Sequence, residues 1–262
     1  MSAPFLMIET VNLTKKYGDK NAVENLSLTV PAGLIYCFLG LNGAGKTTTI
    51  KIIMGLKNPT SGDVLVNGVS IHSKQIHEVR RSIGYLPDEP LLYDHLTGRE
   101  HLHFVGELYG GGAGLSARIQ ADLDKLGLSA DADKLIQTYS PGMKKKIALL
   151  ATLVHDPDIL IFDEPTGGLD ALTARQVKDI LVGFRNSGRL VFFTTHVMEI
   201  AERLADRLAI IDKGCLRFDG TMGDLRREHG IKPDETLEDI FIRVVNEGDL
   251  HAGGRPAFIF PS

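Results

Sequence analysis

Residues Gly40 to Thr47 read G-L-N-G-A-G-K-T and meet every fixed position of the phosphate-binding pattern G-x-x-x-x-G-K-[ST]. The apolar run Leu34 to Leu39 leads into this stretch as a buried strand, and Thr47 to Met54 leaves it as a helix. That strand–loop–helix setting is the one the pattern needs. Its glycines let the backbone curl so that N–H groups converge on phosphate oxygens, with the positive end of the following helix behind them. Lys46 is placed to reach the β- and γ-phosphates, and the Thr47 hydroxyl to take a position on Mg²⁺. The candidate nucleotide contacts are therefore Gly40, Leu41, Asn42, Gly43, Ala44, Gly45, Lys46, Thr47 and Thr48. A chain with this loop binds a nucleoside triphosphate.

The composition bounds the rest. With 262 residues, 43% hydrophobic and 24% charged, the chain supports one large α/β domain or two joined lobes. A net charge of −4 gives no support for a broad nucleic-acid surface, while leaving room for a local basic patch. Cys37 and Cys215 each lie in an apolar strand-like run, so buried free thiols in a reducing compartment are expected. The longest apolar run, Ile147 to Val154, falls far short of the ~20 residues a membrane helix requires. Met1 to Glu9 lacks the charged start and apolar core of a secretory signal. The expectation is a cytoplasmic chain that meets a membrane only through a partner.

Organisation follows from periodicity and punctuation. Phe5 to Leu13 and Leu26 to Val30 read as strands, and Asp63 to Val66 enters a hairpin turned by Asn67-Gly68. From about Ile71 to Asp156 the pattern is mostly helical. Thr97 with Glu100 forms a capping box starting a helix to about Tyr109, Leu115 to Leu126 is a second helix, and Pro141 opens a third. Strand–helix alternation then returns, with strands at Ile159 to Phe162, Leu190 to Thr194, Leu208 to Ile211 and Cys215 to Phe218. The helices are Ala171 to Phe184, Met198 to Ala205, Met222 to His229 and Leu237 to Val245, ahead of an irregular end.

Ile159 to Phe162 ends in Asp163-Glu164, which sets two acids at the carboxyl end of a buried strand beside the phosphate loop. Asp163 suits the Mg²⁺ shell and Glu164 suits polarising the attacking water. An acid closing a strand is ordinary. Two adjacent acids followed by Pro165 are less so.

Together these stretches resemble the ATP-binding subunit of ABC transporters, from about Ile8 to about Val245. Tyr139-Ser140-Pro141-Gly142-Met143 is similar to that family's L-S-G-G-Q signature. The resemblance implies that Ser140 and the Gly142 amide cap the γ-phosphate bound by an opposite subunit. Pro141 and Met143 depart from the pattern, and Pro141 removes an N–H donor. Gly168-Leu169-Asp170 resembles the loop that crosses the dimer interface, which makes Asp170 a candidate contact. His196 matches the switch histidine that meets the γ-phosphate, and Tyr17 matches the aromatic that stacks on adenine. Ile83 to Asp88 has the form of the family's Q-loop, with Asp88 standing where glutamine is usual. Asp88 is thus a candidate metal or water ligand, with Glu89 next in line.

What the resemblance implies is an α/β phosphate-loop NTPase with a parallel-sheet core, an antiparallel β subdomain and an inserted helical subdomain. Residues 1–245 form that ATPase domain, roughly 71–156 its helical insertion, and 246–262 an irregular tail. The implied activity is ATP hydrolysis with ATP and Mg²⁺, coupled to a membrane permease by a dimer of ATPase subunits. The Thr97 to Tyr109 region is the expected docking surface. The Tyr139 to Met143 signature, the Leu86 to Pro90 segment and the last helix resemble export-type subunits with separate permeases. Two alternatives stay open: a non-transport ABC ATPase acting on nucleic acid or the ribosome, and an unrelated phosphate-loop kinase or GTPase. Against the second stands the lack of an N-K-x-D motif.

His95, His101 and His103 invite a metal reading, but helix positions two apart do not face each other.

Overall fold

The computed structural model describes residues 7–165, 171–229 and 235–251. In chain order, β1 (Met7–Tyr17) and β2 (Lys20–Pro31) form a hairpin, and β3 (Ile35–Leu39) leads into α1 (Lys46–Ile53). The strands β4 (Ser61–Val66) and β5 (Val69–Ser70) flank the Asn67-Gly68 turn. Next come α2 (Ile76–Arg80), β6 (Ile83–Leu86), α3 (Gly98–Leu108), α4 (Leu115–Lys125) and α5 (Pro141–Leu153). The chain continues through β7 (Ile159–Asp163), α6 (Ala171–Asn186), β8 (Leu190–Thr195), α7 (Met198–Leu204), β9 (Arg207–Asp212) and β10 (Cys215–Gly220). Finally, α8 (Met222–Glu228) precedes α9 (Leu237–His251).

Two sheets result. The larger has the order β10-β9-β3-β8-β7-β6, parallel from β9 to β6, with β10 antiparallel on the edge. The smaller is antiparallel, in the order β2-β1-β4-β5.

The continuous apolar strands are explained by burial on both faces of the larger sheet. Along β3, Ile35, Cys37 and Leu39 join one core with the helical lobe, α6, α7 and α9. Tyr36 and Phe38, of opposite parity, join a second core with α1 and the antiparallel sheet. Phe192 stacks on Tyr36 with ring centroids 5.9 Å apart and lies 5.8 Å from Phe38. Each such ring removed from water contributes on the order of 2 kcal/mol. This two-sided anchoring holds the carboxyl ends of β3, β7 and β8 at one sheet edge, where the candidate site lies.

Three expectations are corrected. The segment 71–156 contains β6, which belongs to the parallel sheet by pairing Ile83 with Ile159 and Leu86 with Phe162. Four residues are too few to show a period, so only the pairing with β7 reveals the strand. The last helix runs on from Val245 to His251, past the point where an irregular tail was expected. Cys37 is buried but Cys215 is only half-buried, and both are free thiols. Phe5, Asp170 with its neighbours Gly168 and Leu169, and the tail from 252 lie outside the described residues.

Candidate active site

The phosphate loop leaves β3 and closes on α1. Gly45 caps the helix in the left-handed region at φ 112°, and a Cβ there would sit 2.4 Å from the Ala22 carbonyl oxygen. At Gly40 a Cβ would sit 2.5 Å from the Ile211 carbonyl oxygen, so β9 also presses on the loop. The loop is pinned by Gly40 N–H to Thr195 O (3.2 Å) and Ala44 N–H to Leu41 O (3.1 Å). Lys46 Nζ is buried and donates to Gly40 O at 2.7 Å and Leu41 O at 3.3 Å. Thr47 is exposed and Thr48 half-buried at the start of α1.

Asp163 closes β7 and is almost completely buried. The Thr194 hydroxyl of β8 donates to its Oδ1 at 2.5 Å, and the register of the two strands brings these residues side by side. β8 stands between β7 and β3, so Asp163 is one strand removed from the phosphate-loop strand.

Glu164 adopts φ 51°, a left-handed conformation that costs a residue with a side chain on the order of 1–2 kcal/mol. Its N–H is held by Thr194 O at 3.2 Å and Thr194 Oγ1 at 3.3 Å. The bend turns its carboxylate toward the loop. There Lys46 Nζ lies 3.4 Å and His196 Nδ1 2.9 Å from Oε1, while the His196 N–H reaches Oε2 at 3.4 Å. Three distant segments thus meet on one carboxylate. Its charge adds to burial in pushing up the thiol of Cys37, in the middle of β3.

Asp88 is exposed on the segment after β6 and lines a cleft of about 810 Å³ with Thr47, Lys51 and Asp163. Burial, then the charges of Asp163 and Asp88, pushes the Tyr85 phenol up to about 12. The hydroxyl and carboxylate oxygens of Thr47, Asp163 and Asp88 make a hard-oxygen donor set that fits Mg²⁺. No three His, Cys, Asp or Glu converge on a metal site among the described residues.

The other predicted residues stand apart. Tyr17 is exposed at the end of the β1–β2 hairpin, with Lys15 and Lys57 ammonium groups each 5.3 Å from its ring. Ser140 is exposed and caps α5, accepting from Met143 N–H at 3.3 Å, with Gly142 in the first turn. Asp170 lies outside the described residues. Sequence reasoning missed Thr194, which it read only as a strand end.

A six-stranded, mostly parallel sheet carrying a phosphate loop, with Lys46, Asp163, Glu164 and His196 at its carboxyl edge, defines a phosphate-loop ATPase. The profile described as ABC transporter matches residues 23–167, and this chain belongs to that family. It is 40% identical over 228 residues to the daunorubicin/doxorubicin resistance ATP-binding protein DrrA of Streptomyces peucetius, covering 87% of this chain and 69% of that one. It is 37% identical over 247 residues to the linearmycin resistance ATP-binding protein LnrL of Bacillus subtilis, covering 94% and 78%. A solved structure titled as the ATP-binding subunit of an ABC transporter superposes with a TM-score of 0.85 at 30% identity, over 91% of this chain and 99% of that one. The chain is an ATP-binding and ATP-hydrolysing subunit of the ABC transporter class. No helix among the described residues is long and apolar enough to cross a membrane.

Proposed function

We propose that this chain powers export through a separate membrane permease, working as a dimer that encloses two ATP molecules. The convergence of Lys46 and His196 on the Glu164 carboxylate carries the hydrolytic part of this reading. Arrival of the γ-phosphate draws Lys46 away from Glu164 and Gly40 O, because a multiply charged phosphate outcompetes one carboxylate and a neutral carbonyl for the ammonium. Glu164 is then free to orient and polarise the attacking water, with His196 meeting the γ-phosphate. Thr47, Asp163 and Asp88 would hold Mg²⁺, which supplies charge neutralisation at the phosphates. Tyr17 stacks on the base. Ser140 and Gly142 close the opposite subunit's site through the N-terminal end of α5, and Asp170 crosses between subunits.

The same cleft supports the permease reading. It runs from Thr47, Asp88 and Asp163 to Tyr93, Phe104, Leu108 and Leu91, the last 96% exposed. A cluster of exposed apolar side chains continuous with a nucleotide site fits a partner helix. The helical lobe, expected as an insertion over roughly 71–156, is carried between β6 and β7, so closure around ATP would move it against the sheet. The permease would hold the chain at the inner face of the membrane. Export is supported by the resistance functions named for DrrA and LnrL.

Glu164→Gln tests the reading. The variant should bind ATP, lose turnover by a factor of roughly 10² or more, and elute as an ATP-bound dimer in size-exclusion chromatography. An unchanged hydrolysis rate would remove Glu164 from the role of base.

A further inference from the structure

The turn Lys213-Gly214 joins β9 to β10 at the back of the phosphate loop. Gly214 is buried at φ 83° and makes two backbone hydrogen bonds that cross the fold. Its N–H donates to Ala44 O of the phosphate loop at 2.9 Å, and its carbonyl accepts from Glu24 N–H of β2 at 2.8 Å. A Cβ at Gly214 would meet the Ala22 carbonyl oxygen at 3.0 Å and Val23 Cα at 3.2 Å. Gly45 meets the same carbonyl from the loop side. Ala22 therefore lies against a glycine of the phosphate loop, where a Cβ would collide with it, and a glycine of the turn, where a Cβ would be tight and its backbone strained at φ 83°.

The strand held in this way carries the hairpin end at which Tyr17 pairs with Lys20, two residues before Ala22. We infer that Gly214 is a positioning residue: it sets the distance between the base-stacking hairpin and the phosphate loop. The inference rests on the reading of Gly40 to Thr47 and Tyr17 as nucleotide contacts. A side chain at residue 214 forces Ala22 and Val23 of β2 to give by a few tenths of an ångström, and shifts the hairpin end carrying Tyr17 relative to the loop. The loop keeps its own ties to Thr195 and within itself, so its grip on the phosphates survives. The base contact is loosened.

The test is the full chain carrying Gly214→Ala, titrated with ATP and with inorganic tripolyphosphate, which has no base. ATP affinity should fall, by up to about fivefold to tenfold, the value of one stacking contact, with tripolyphosphate affinity unchanged. Tyr17→Ala should give the same split, and adding it to Gly214→Ala should cost less than it does alone, because both act on one contact. An unchanged ATP affinity, or an equal loss for both ligands, overturns the role of Gly214. Lys46→Ala and Tyr17→Ala judge the underlying site separately, since their failure to weaken binding would refute the site whatever Gly214 does. If Gly214→Ala does not fold, amide exchange in the unaltered chain decides. Peptides spanning residues 20–25 and 213–215 should gain protection with ATP and not with tripolyphosphate, and equal protection with both overturns the inference.

Discussion

At the scale of single residues, the site depends on who holds the acids. Asp163 is fixed by the Thr194 hydroxyl, and Thr194 also holds the strained Glu164 backbone through its carbonyl. Thr194→Val keeps the shape but removes that donor, so a buried carboxylate oxygen loses its partner at a cost of ~1–3 kcal/mol. The expected outcome is a higher Mg²⁺ requirement in steady-state ATPase assays, with a lower unfolding midpoint. Asp88→Ala should also raise the Mg²⁺ needed for half-maximal turnover, while leaving the midpoint in place because Asp88 is exposed. Unchanged metal dependence would exclude Asp88 from the metal's surroundings. The strand–loop–helix around Gly40 to Thr47 and the place of Asp163 and Glu164 at the end of β7 were legible in the sequence, because covalent spacing alone puts them in their local geometry. Thr194 was not, because its role exists only through the register that pairs it with Asp163.

At the scale of elements, the helical lobe is held by local rules that the sequence displays. Thr97 and Glu100 form the expected capping box on α3, with both reciprocal hydrogen bonds made. Thr97→Ala should lower stability by ~1 kcal/mol in denaturant unfolding. His101, on the same helix, is buried with Nδ1 unpartnered, and burial lowers its pKa below the ordinary 6.5. His155 is lowered by the same cause, and it stacks on Tyr109 with centroids 3.9 Å apart. The unfolded chain therefore takes up protons near pH 6.5 that the folded chain refuses, and stability falls as pH drops below that value. His101→Phe should flatten this acid limb when urea midpoints are compared between about pH 7.5 and 5.5. By contrast, β6 was hidden inside an otherwise helical stretch. Its four residues become a strand because the edge of β7 offers them a ladder.

At the scale of the whole molecule, one cleft joins the candidate site to an exposed apolar surface of the helical lobe. Asp163 and Thr47 line one part of it, and Leu91, Phe104 and Leu108 another. Leu108→Glu with Leu91→Glu should reduce co-purification of the permease in detergent by ~10-fold, with ATP binding retained. Full retention of the permease would move the docking surface elsewhere. The resemblance singled out the Thr97 to Tyr109 segment as a candidate surface, and only the structure shows the cleft that joins part of it to the candidate nucleotide site.

The amino-acid sequence by itself determined that this chain handles a nucleoside triphosphate, and it determined the loop, the acid pair and the helix caps. Each depends on residues within a few positions of one another, whose geometry the backbone enforces locally. Tertiary structure decided what those pieces face. The approach of Ala22 to Gly45 and Gly214, the pairing of Thr194 with Asp163 and the meeting of Lys46 and His196 on Glu164 join segments far apart in the chain. Such contacts follow from strand order and from burial on both faces of the sheet, which no local pattern encodes.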